Sequence, residues 1–238
     1  MIMNIDVAFL PSEVRGNDVT DTVCIVLDIF RATTSITTAM ANGCAVIYPV
    51  LTVEEARQMA GENPGCLLAG ERKSIQIAGF DLGNSPYDFS SDNVRGRSVI
   101  MTTTNGTAAI KATEGAHRTF IGSFLNAEAV CAQIAAHGKD ILIVCAGTEQ
   151  TFSLEDALCA GYMVKILQGG QGKVELTDAA QAAMMLYKQA ETDLIGAVKN
   201  SKNGKRLYDL NREHDVEYCL RKNHLAVVPQ YCGGRIRF

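Results

Sequence analysis

Apolar positions along this chain fall into two alternating patterns. Short unbroken apolar runs, bounded by polar or glycine-containing turns, are separated by stretches in which apolar residues return every three or four positions. The short runs at Ile5–Leu10, Val23–Leu27, Val46–Val50, Leu67–Ala69, Val99–Thr102, Thr119–Gly122 and Ile141–Cys145 read as strands. Between them the spacing predicts helices over Thr34–Asn42, with Gly43 as its stop, and over Ala108–Thr113 and Ala127–His137. Two more helices announce themselves by their caps: Thr52 with Glu55 three residues on is a capping box, and Ser153 precedes Asp156 in the same way. Strands separated by single helices predict an α/β fold with a parallel sheet covered on both faces.

Past Gly169–Gly172 the pattern changes. Residues 177–223 are helical by periodicity, with a charge-dense stretch at Lys199–Lys222. Leu225–Gln230 and Arg235–Phe238 read as strands that return to the sheet at an edge. The expected organisation is an α/β phosphate-binding core over residues 1–168 and a helical cap or second subdomain over 169–238. The glycine cluster suits a domain boundary or a lid on the same domain equally.

Composition narrows the ligand more than the fold. The chain is 47% hydrophobic and 20% charged, with a net charge of −4 and a pI near 5.6. No general attraction to nucleic acid is expected, so any anionic ligand must be held by local cations, a metal or helix N-termini. No apolar run approaches the roughly 20 residues that span a bilayer, and Met1–Leu10 lacks the marks of a signal peptide. The expectation is a cytoplasmic protein with no membrane partner; its long apolar helices would suit a homodimer. Eight cysteines occur without a CxxC pair, and Cys24, Cys131, Cys145 and Cys159 fall inside apolar patterns, which favours free buried thiols.

Candidate chemistry collects where strands end. Leu27-Asp28-Ile29-Phe30-Arg31-Ala32-Thr33-Thr34-Ser35 closes a strand with a carboxylate and opens a helix among hydroxyls. Asp28 there can ligate Mg²⁺ or attack phosphorus, Arg31 can clamp phosphate oxygens in pairs, and the amides near Thr33 and Thr34 add donors. The plainer alternative is a helix cap with Arg31 paired to Asp28. Thr102-Thr103-Thr104-Asn105-Gly106-Thr107 holds more hydroxyls than a cap needs, and Gly106 allows close approach of an anion. Gly70-Glu71-Arg72, running on to Gly83-Asn84-Ser85-Pro86, offers Glu71 as a metal ligand, Arg72 as a second cation and Asn84 as a hydrogen-bonding ligand for either. Finally, Asp156 or Glu155 can supply a second carboxylate for Mg²⁺, or Asp156 can simply complement the helix dipole. Cys145 lacks a phosphate loop of the C-x₅-R type. GxSxG, GxGxxG and histidine-cluster signatures are missing as well, which removes serine hydrolases and dinucleotide-dependent dehydrogenases.

Taken in order, LDIFRATTS, GER…GFDLGNSP, TTTNGT, CAG…FSLEDALCAG and SKNGKRLYDL…HDVEYCL…VVPQY resemble the 2-phosphosulfolactate phosphatases over nearly the whole chain. The resemblance implies a three-layer α/β/α fold and Mg²⁺-dependent hydrolysis of 2-phospho-3-sulfolactate to 3-sulfolactate and phosphate, a step of coenzyme M biosynthesis. On that reading Asp28, Glu71 and Asp156 are the metal carboxylates, and Asp28, Arg31 and Asp156 carry the chemistry. Arg31, Thr33, Thr34, Arg72, Asn84, Thr103, Thr104, Asn105 and Gly106 would bind the substrate. The nucleophile is a metal-activated water or Asp28 itself, with water preferred because no DxDxT pattern follows Asp28. The stretch Lys73–Ile77 departs from the family by being bulkier than the glycine-containing version expected. The alternatives are a phosphatase for another small phosphorylated hydroxy acid and a non-catalytic anion-binding protein.

Overall fold

Within the apolar runs, alternate residues face opposite sides of a sheet, and this decides the layering. In the computed structural model, which describes residues 2–14, 19–170 and 173–238, β1 (Met3–Ala8) and β2 (Val23–Leu27) are followed by α1 (Ala32–Ala41). Then come β3 (Val46–Pro49), α2 (Val53–Glu62), β4 (Leu67–Arg72), β5 (Ile75–Gln76), α3 (Ser91–Val94), β6 (Ser98–Thr102) and α4 (Gly106–Ala112). β7 (Arg118–Gly122), α5 (Ala127–Ala135), β8 (Ile141–Cys145) and α6 (Leu154–Gln168) complete the alternating part. β9 (Val174–Leu176), α7 (Asp178–Ala190), α8 (Leu194–Val198), α9 (Lys202–Asp209), α10 (Glu213–Cys219), β10 (Gln230–Cys232) and β11 (Arg235–Arg237) end the chain. Of the Gly169–Gly172 cluster, residues 171 and 172 lie outside the described residues.

The sheet has helices on both faces. Val23, Ile25, Leu27, Phe120, Ile141 and Ile143 pack on one side with apolar residues of α5, α6 and α7. Val26, Val99, Met101 and Ile121 pack on the other with α1 and α4. Burying a branched aliphatic or aromatic side chain contributes about 1.5–3 kcal/mol, so these two apolar layers drive the assembly. The Thr52 capping box forms as expected: its hydroxyl accepts from Glu55 N at 3.0 Å while Glu55 accepts from Thr52 N at 3.3 Å. All eight cysteines are free, and six of them are buried. Among the described residues, no helix is long and apolar enough to cross a membrane.

Strand order across the sheet is β5-β4-β6-β3-β11-β10-β7-β2-β8-β1-β9. The expectation that the C-terminal strands return at an edge is therefore corrected: the β10–β11 hairpin lies inside the sheet, between β3 and β7. Its two-residue turn, Gly233-Gly234, takes left-handed backbone angles (φ 56° and 78°), as a tight hairpin requires. Only Tyr231 and Ile236 of the hairpin are buried, so its alternation reads like that of a half-solvated edge. The edges are instead β5 and β9, two short strands that carry too few residues to show a pattern. Because the hairpin makes three antiparallel pairings in a row, β3, β4 and β6 run opposite to β1, β2, β7, β8 and β9. The turn after β6 nevertheless meets the ends of β2, β4 and β8: the Gly106 backbone abuts Asp28, Thr104 bonds Glu71 and Asn105 bonds Glu149.

Candidate active site

The β2–α1 turn buries a charge that it does not fully satisfy. Thr33 Oγ1 accepts from Asp28 N at 2.9 Å and donates to Asp28 O at 3.1 Å, and Thr34 Oγ1 donates to Ile29 O at 3.0 Å, so the hydroxyls shape the turn itself. The Phe30–Arg31 peptide is cis. Asp28 Oδ1 accepts one long bond from Ala32 N, at 3.3 Å. Burial, and next the negative charge of Glu71, push the Asp28 carboxyl up from its ordinary 3.8 to about 7.

Arg31 is 2% exposed, and it is not paired to Asp28. Its Nη1 meets Asp215 Oδ2 at 2.5 Å and its Nη2 donates to Ser74 O at 3.0 Å. Asp215, on α10, is fully buried and takes a second bond from Ser85 Oγ at 2.6 Å. Both loops that flank Glu71 and Asn84 are thus tied to α10 through one carboxylate.

The departure at residues 73–77 falls on the β4–β5 hairpin. Lys73 and Ser74 form its two-residue turn with φ of 54° and 67°, a conformation that favours glycine. Ser74 N donates to Glu71 Oε2 at 2.6 Å, and Thr104 N donates to Glu71 Oε1 at 2.8 Å. Glu71 therefore clamps the hairpin to the β6–α4 turn. Arg72 points elsewhere: its guanidinium donates to Glu71 O at 2.8 Å and to Thr102 Oγ1 at 3.0 Å.

In the β6–α4 turn the extra threonines serve the chain. Thr103 Oγ1 accepts from Thr107 N at 3.2 Å, and Thr107 Oγ1 accepts from Thr103 N at 3.4 Å. Gly106 has its own reason to be glycine, because a Cβ there would lie 2.7 Å from Asp28 Oδ2 and 2.5 Å from Ala32 Cβ. Asn105 Oδ1 accepts from Glu149 N at 3.0 Å, which fixes the loop after β8 to this turn.

Asp156 lies behind Asp28 as a strut. Its two oxygens accept from Ile29 N at 2.8 Å and Gly147 N at 3.1 Å, and its own N donates to Ser153 Oγ at 3.3 Å. Burial and the negative charges of Asp28 and Glu155 raise its carboxyl well above the usual range. The Cys145 thiol is likewise pushed far up by burial, which suits an inert core residue.

The cleft that results is small and polar. Asp28, Arg31, Glu71, Asn84, Thr104, Asn105, Asn203 and Arg206 line it together with Phe30 and Ser74. Of the residues singled out from sequence, Thr33, Thr34, Arg72, Thr103, Gly106 and Asp156 stand behind this lining or beside it. Buried carboxylates dominate the region: Asp28, Glu71, Glu155, Asp156 and Asp215 against the single buried guanidinium of Arg31. Asn84 Oδ1 is buried and has no hydrogen-bond donor, although Asn84 O accepts from Ser35 Oγ at 2.8 Å. Among the described residues no three His, Cys, Asp or Glu side chains gather as a ready-made metal cage. The oxygens on offer suit a hard cation that keeps most of its water, the usual habit of Mg²⁺.

The profile of one sequence family, 2-phosphosulpholactate phosphatase, matches residues 8–234. The chain belongs to that family. A Clostridium acetobutylicum protein named "Probable 2-phosphosulfolactate phosphatase" is 44% identical over 235 residues, which cover 98% of this chain and 100% of that protein. Proteins of the same name from Clostridium botulinum (39% identical; 98% of this chain, 99% of that protein) and Symbiobacterium thermophilum (40%; 90% and 93%) are similar to it as well. A phosphatase-type hydrolase is the activity class of the family. Sequence reasoning had this region in view, since SKNGKRLYDL and HDVEYCL carry part of the resemblance, yet it assigned no role to Asn203, Arg206 or Asp215. Nothing local marks these residues: Asn203 and Arg206 are found by lining the cleft, and Asp215 by holding Arg31.

Proposed function

We propose that the cleft hydrolyses the phosphate monoester of a small polyanionic 2-hydroxy acid, with 2-phospho-3-sulfolactate as the substrate and Mg²⁺ as the cofactor. One observation carries this reading. Two buried carboxylates, Asp28 and Glu71, line a cleft whose one buried cation, Arg31, is already paired with Asp215, so a multiply charged anion can enter only with additional positive charge. Asp28 and the undonated Asn84 Oδ1 are the residues that would hold the metal, with Glu71 beside them. Bound there, Mg²⁺ would offset the phosphate charge and polarise its oxygens.

The chain's own residues do the rest. Arg31, locked by Asp215 and Ser74, presents a fixed guanidinium edge to the phosphate, which is positioning rather than recruitment. Asp28 sits at the reacting end, and its second oxygen faces the Gly106 backbone closely enough that no side chain fits between them. It takes the proton of the water that attacks phosphorus; the phosphorus–oxygen ester bond breaks, and the proton passes to the departing hydroxy acid. Direct attack by Asp28 is the competing route, and an acid-labile phosphoryl-enzyme would reveal it. Asp156 holds the Asp28 loop and the Gly147 loop in register and stays out of contact with substrate.

A phosphate-release screen over phosphorylated 2-hydroxy acids, with Mg²⁺ and with a chelator, tests the proposal. Turnover of 2-phospho-3-sulfolactate that disappears on chelation and returns with Mg²⁺ is expected. Faster turnover of an ester lacking the sulfonate would change the substrate, and release indifferent to chelation would remove the metal.

A further inference from the structure

The cleft contains a second arginine whose surroundings differ in kind from those of Arg31. α9 is anchored from below: Asn203 Nδ2 donates to Thr148 Oγ1 at 2.7 Å and Glu155 Oε1 at 2.9 Å, and Ser201 Oγ donates to Glu155 Oε2 at 3.0 Å. Glu155 is buried on the first turn of α6, so the start of α9 is pinned to the β8–α6 connection. Arg206 lies three residues beyond Asn203, on the same helix face, and lines the cleft with Asp28, Arg31 and Asn84.

Arg206 Nη2 meets Glu149 Oε1 at 2.5 Å, while Lys202 Nζ meets Glu149 Oε2 at 2.7 Å. Lys202 and then Arg206 hold the Glu149 carboxyl down at about 2. Glu149 itself is held in a left-handed turn (φ 52°), its N–H fixed to Asn105. Its acid is thus shared by two cations and open to water.

That sharing sets the two arginines apart. Withdrawing Arg31 would remove the close cation of the buried Asp215 and leave it Ser85 and the more distant Arg212 at 3.9 Å, a costly change. Withdrawing Arg206, which is 27% exposed, leaves Glu149 hydrated and still paired with Lys202, a change of the size of a surface ion pair. A guanidinium fork matches the paired oxygens of a sulfonate or carboxylate.

We infer that Arg206 is a specificity-determining residue: it binds the anionic group of the substrate that is not the ester phosphate, exchanging Glu149 for it while Lys202 keeps Glu149 neutralised. This rests on reading the cleft as a phosphatase site for a polyanionic hydroxy acid.

Isothermal titration of 3-sulfolactate, lactate and inorganic phosphate into the Mg²⁺-supplemented full chain tests it, using wild type, Arg206→Gln and Arg206→Lys with thermal melts as a check on folding. Arg206→Gln should weaken 3-sulfolactate about tenfold or more and phosphate by less than about threefold, with partial recovery in Arg206→Lys. A matching loss for lactate assigns the carboxylate to Arg206; a loss confined to 3-sulfolactate assigns the sulfonate. Equal weakening of phosphate and 3-sulfolactate, unchanged 3-sulfolactate affinity, or a wild type that binds none of the three overturns the inference. The expected binding pattern in a protein that does not hydrolyse 2-phospho-3-sulfolactate would leave Arg206 assigned and overturn the phosphatase reading instead.

Discussion

Two strand-to-helix turns border the cleft, and they solve opposite problems. The β6–α4 turn is rich in hydroxyls, yet Thr103 and Thr107 satisfy one another and Thr104 N serves Glu71. The β2–α1 turn has fewer polar groups to spare, yet it leaves the Asp28 carboxylate buried with one weak donor. Polar density here marks a self-contained turn, whereas the buried Asp28 carboxyl keeps oxygens that can still take a partner. The difference comes from partners: hydroxyls donate and accept within one turn, but a carboxylate cannot neutralise itself.

Asp28→Asn keeps the shape of the turn and removes its charge, so phosphate release should fall about a thousandfold or more, given the usual scale of general acid–base and electrostatic contributions. Asp215→Ala takes away the carboxylate that neutralises the buried Arg31 and leaves it only the Ser74 carbonyl; a stability loss of roughly 3–5 kcal/mol is expected in denaturant titrations. Gly106→Ala forces a methyl into the space of Asp28 Oδ2 and Ala32, and should cost about 1–3 kcal/mol with a clear drop in turnover, because it moves the reacting carboxylate. Thr103→Val removes only the hydroxyl that accepts from Thr107 N, so a loss of about 1 kcal/mol in stability with a much smaller change in rate is expected. A Thr103→Val rate as low as that of Asp28→Asn would erase the distinction between the two turns.

The pH dependence of stability sharpens it further. In the unfolded chain Asp28 ionises near 3.8, while in the fold burial and Glu71 delay ionisation to about 7. Between those values the folded protein binds more protons, so this group's contribution falls as pH rises through the window. Metal-free Asp28→Asn should consequently gain in melting temperature over wild type at pH 8 and show little gain near pH 4. A gain that grows toward low pH would contradict the assigned environment.

How much of this was legible in the chain varies with the range of the interaction. Ile141–Cys145, the Thr52–Glu55 box and the start of α6 at Ser153 are local matters of periodicity and capping, and they stand where the sequence puts them. The C-terminal hairpin was misplaced because alternation tells which face of a strand is dry and says nothing about which strands lie beside it. The cleft divides in the same way. Asp28, Arg31, Glu71 and Asn84 stood out as polar residues at strand ends, whereas the partner of Arg31 lies 184 positions away on a helix of ordinary composition. Arg206 was hidden for the same reason, inside a charge-dense stretch that resembles any solvated helix. Arg72 shows the reverse: it neighbours Glu71 in the chain, but successive strand residues point to opposite faces, and its guanidinium bonds Thr102 Oγ1.

On the proposed function, the under-satisfied carboxylate of Asp28 is where a phosphate ester is hydrolysed. Initial rates of phosphate release from 2-phospho-3-sulfolactate, compared between wild type and Asp28→Asn at saturating Mg²⁺, test this most directly. Turnover in the wild type and near-complete loss in a variant that melts at the same temperature or higher are expected. Wild-type rates in a folded Asp28→Asn protein would contradict that role for Asp28.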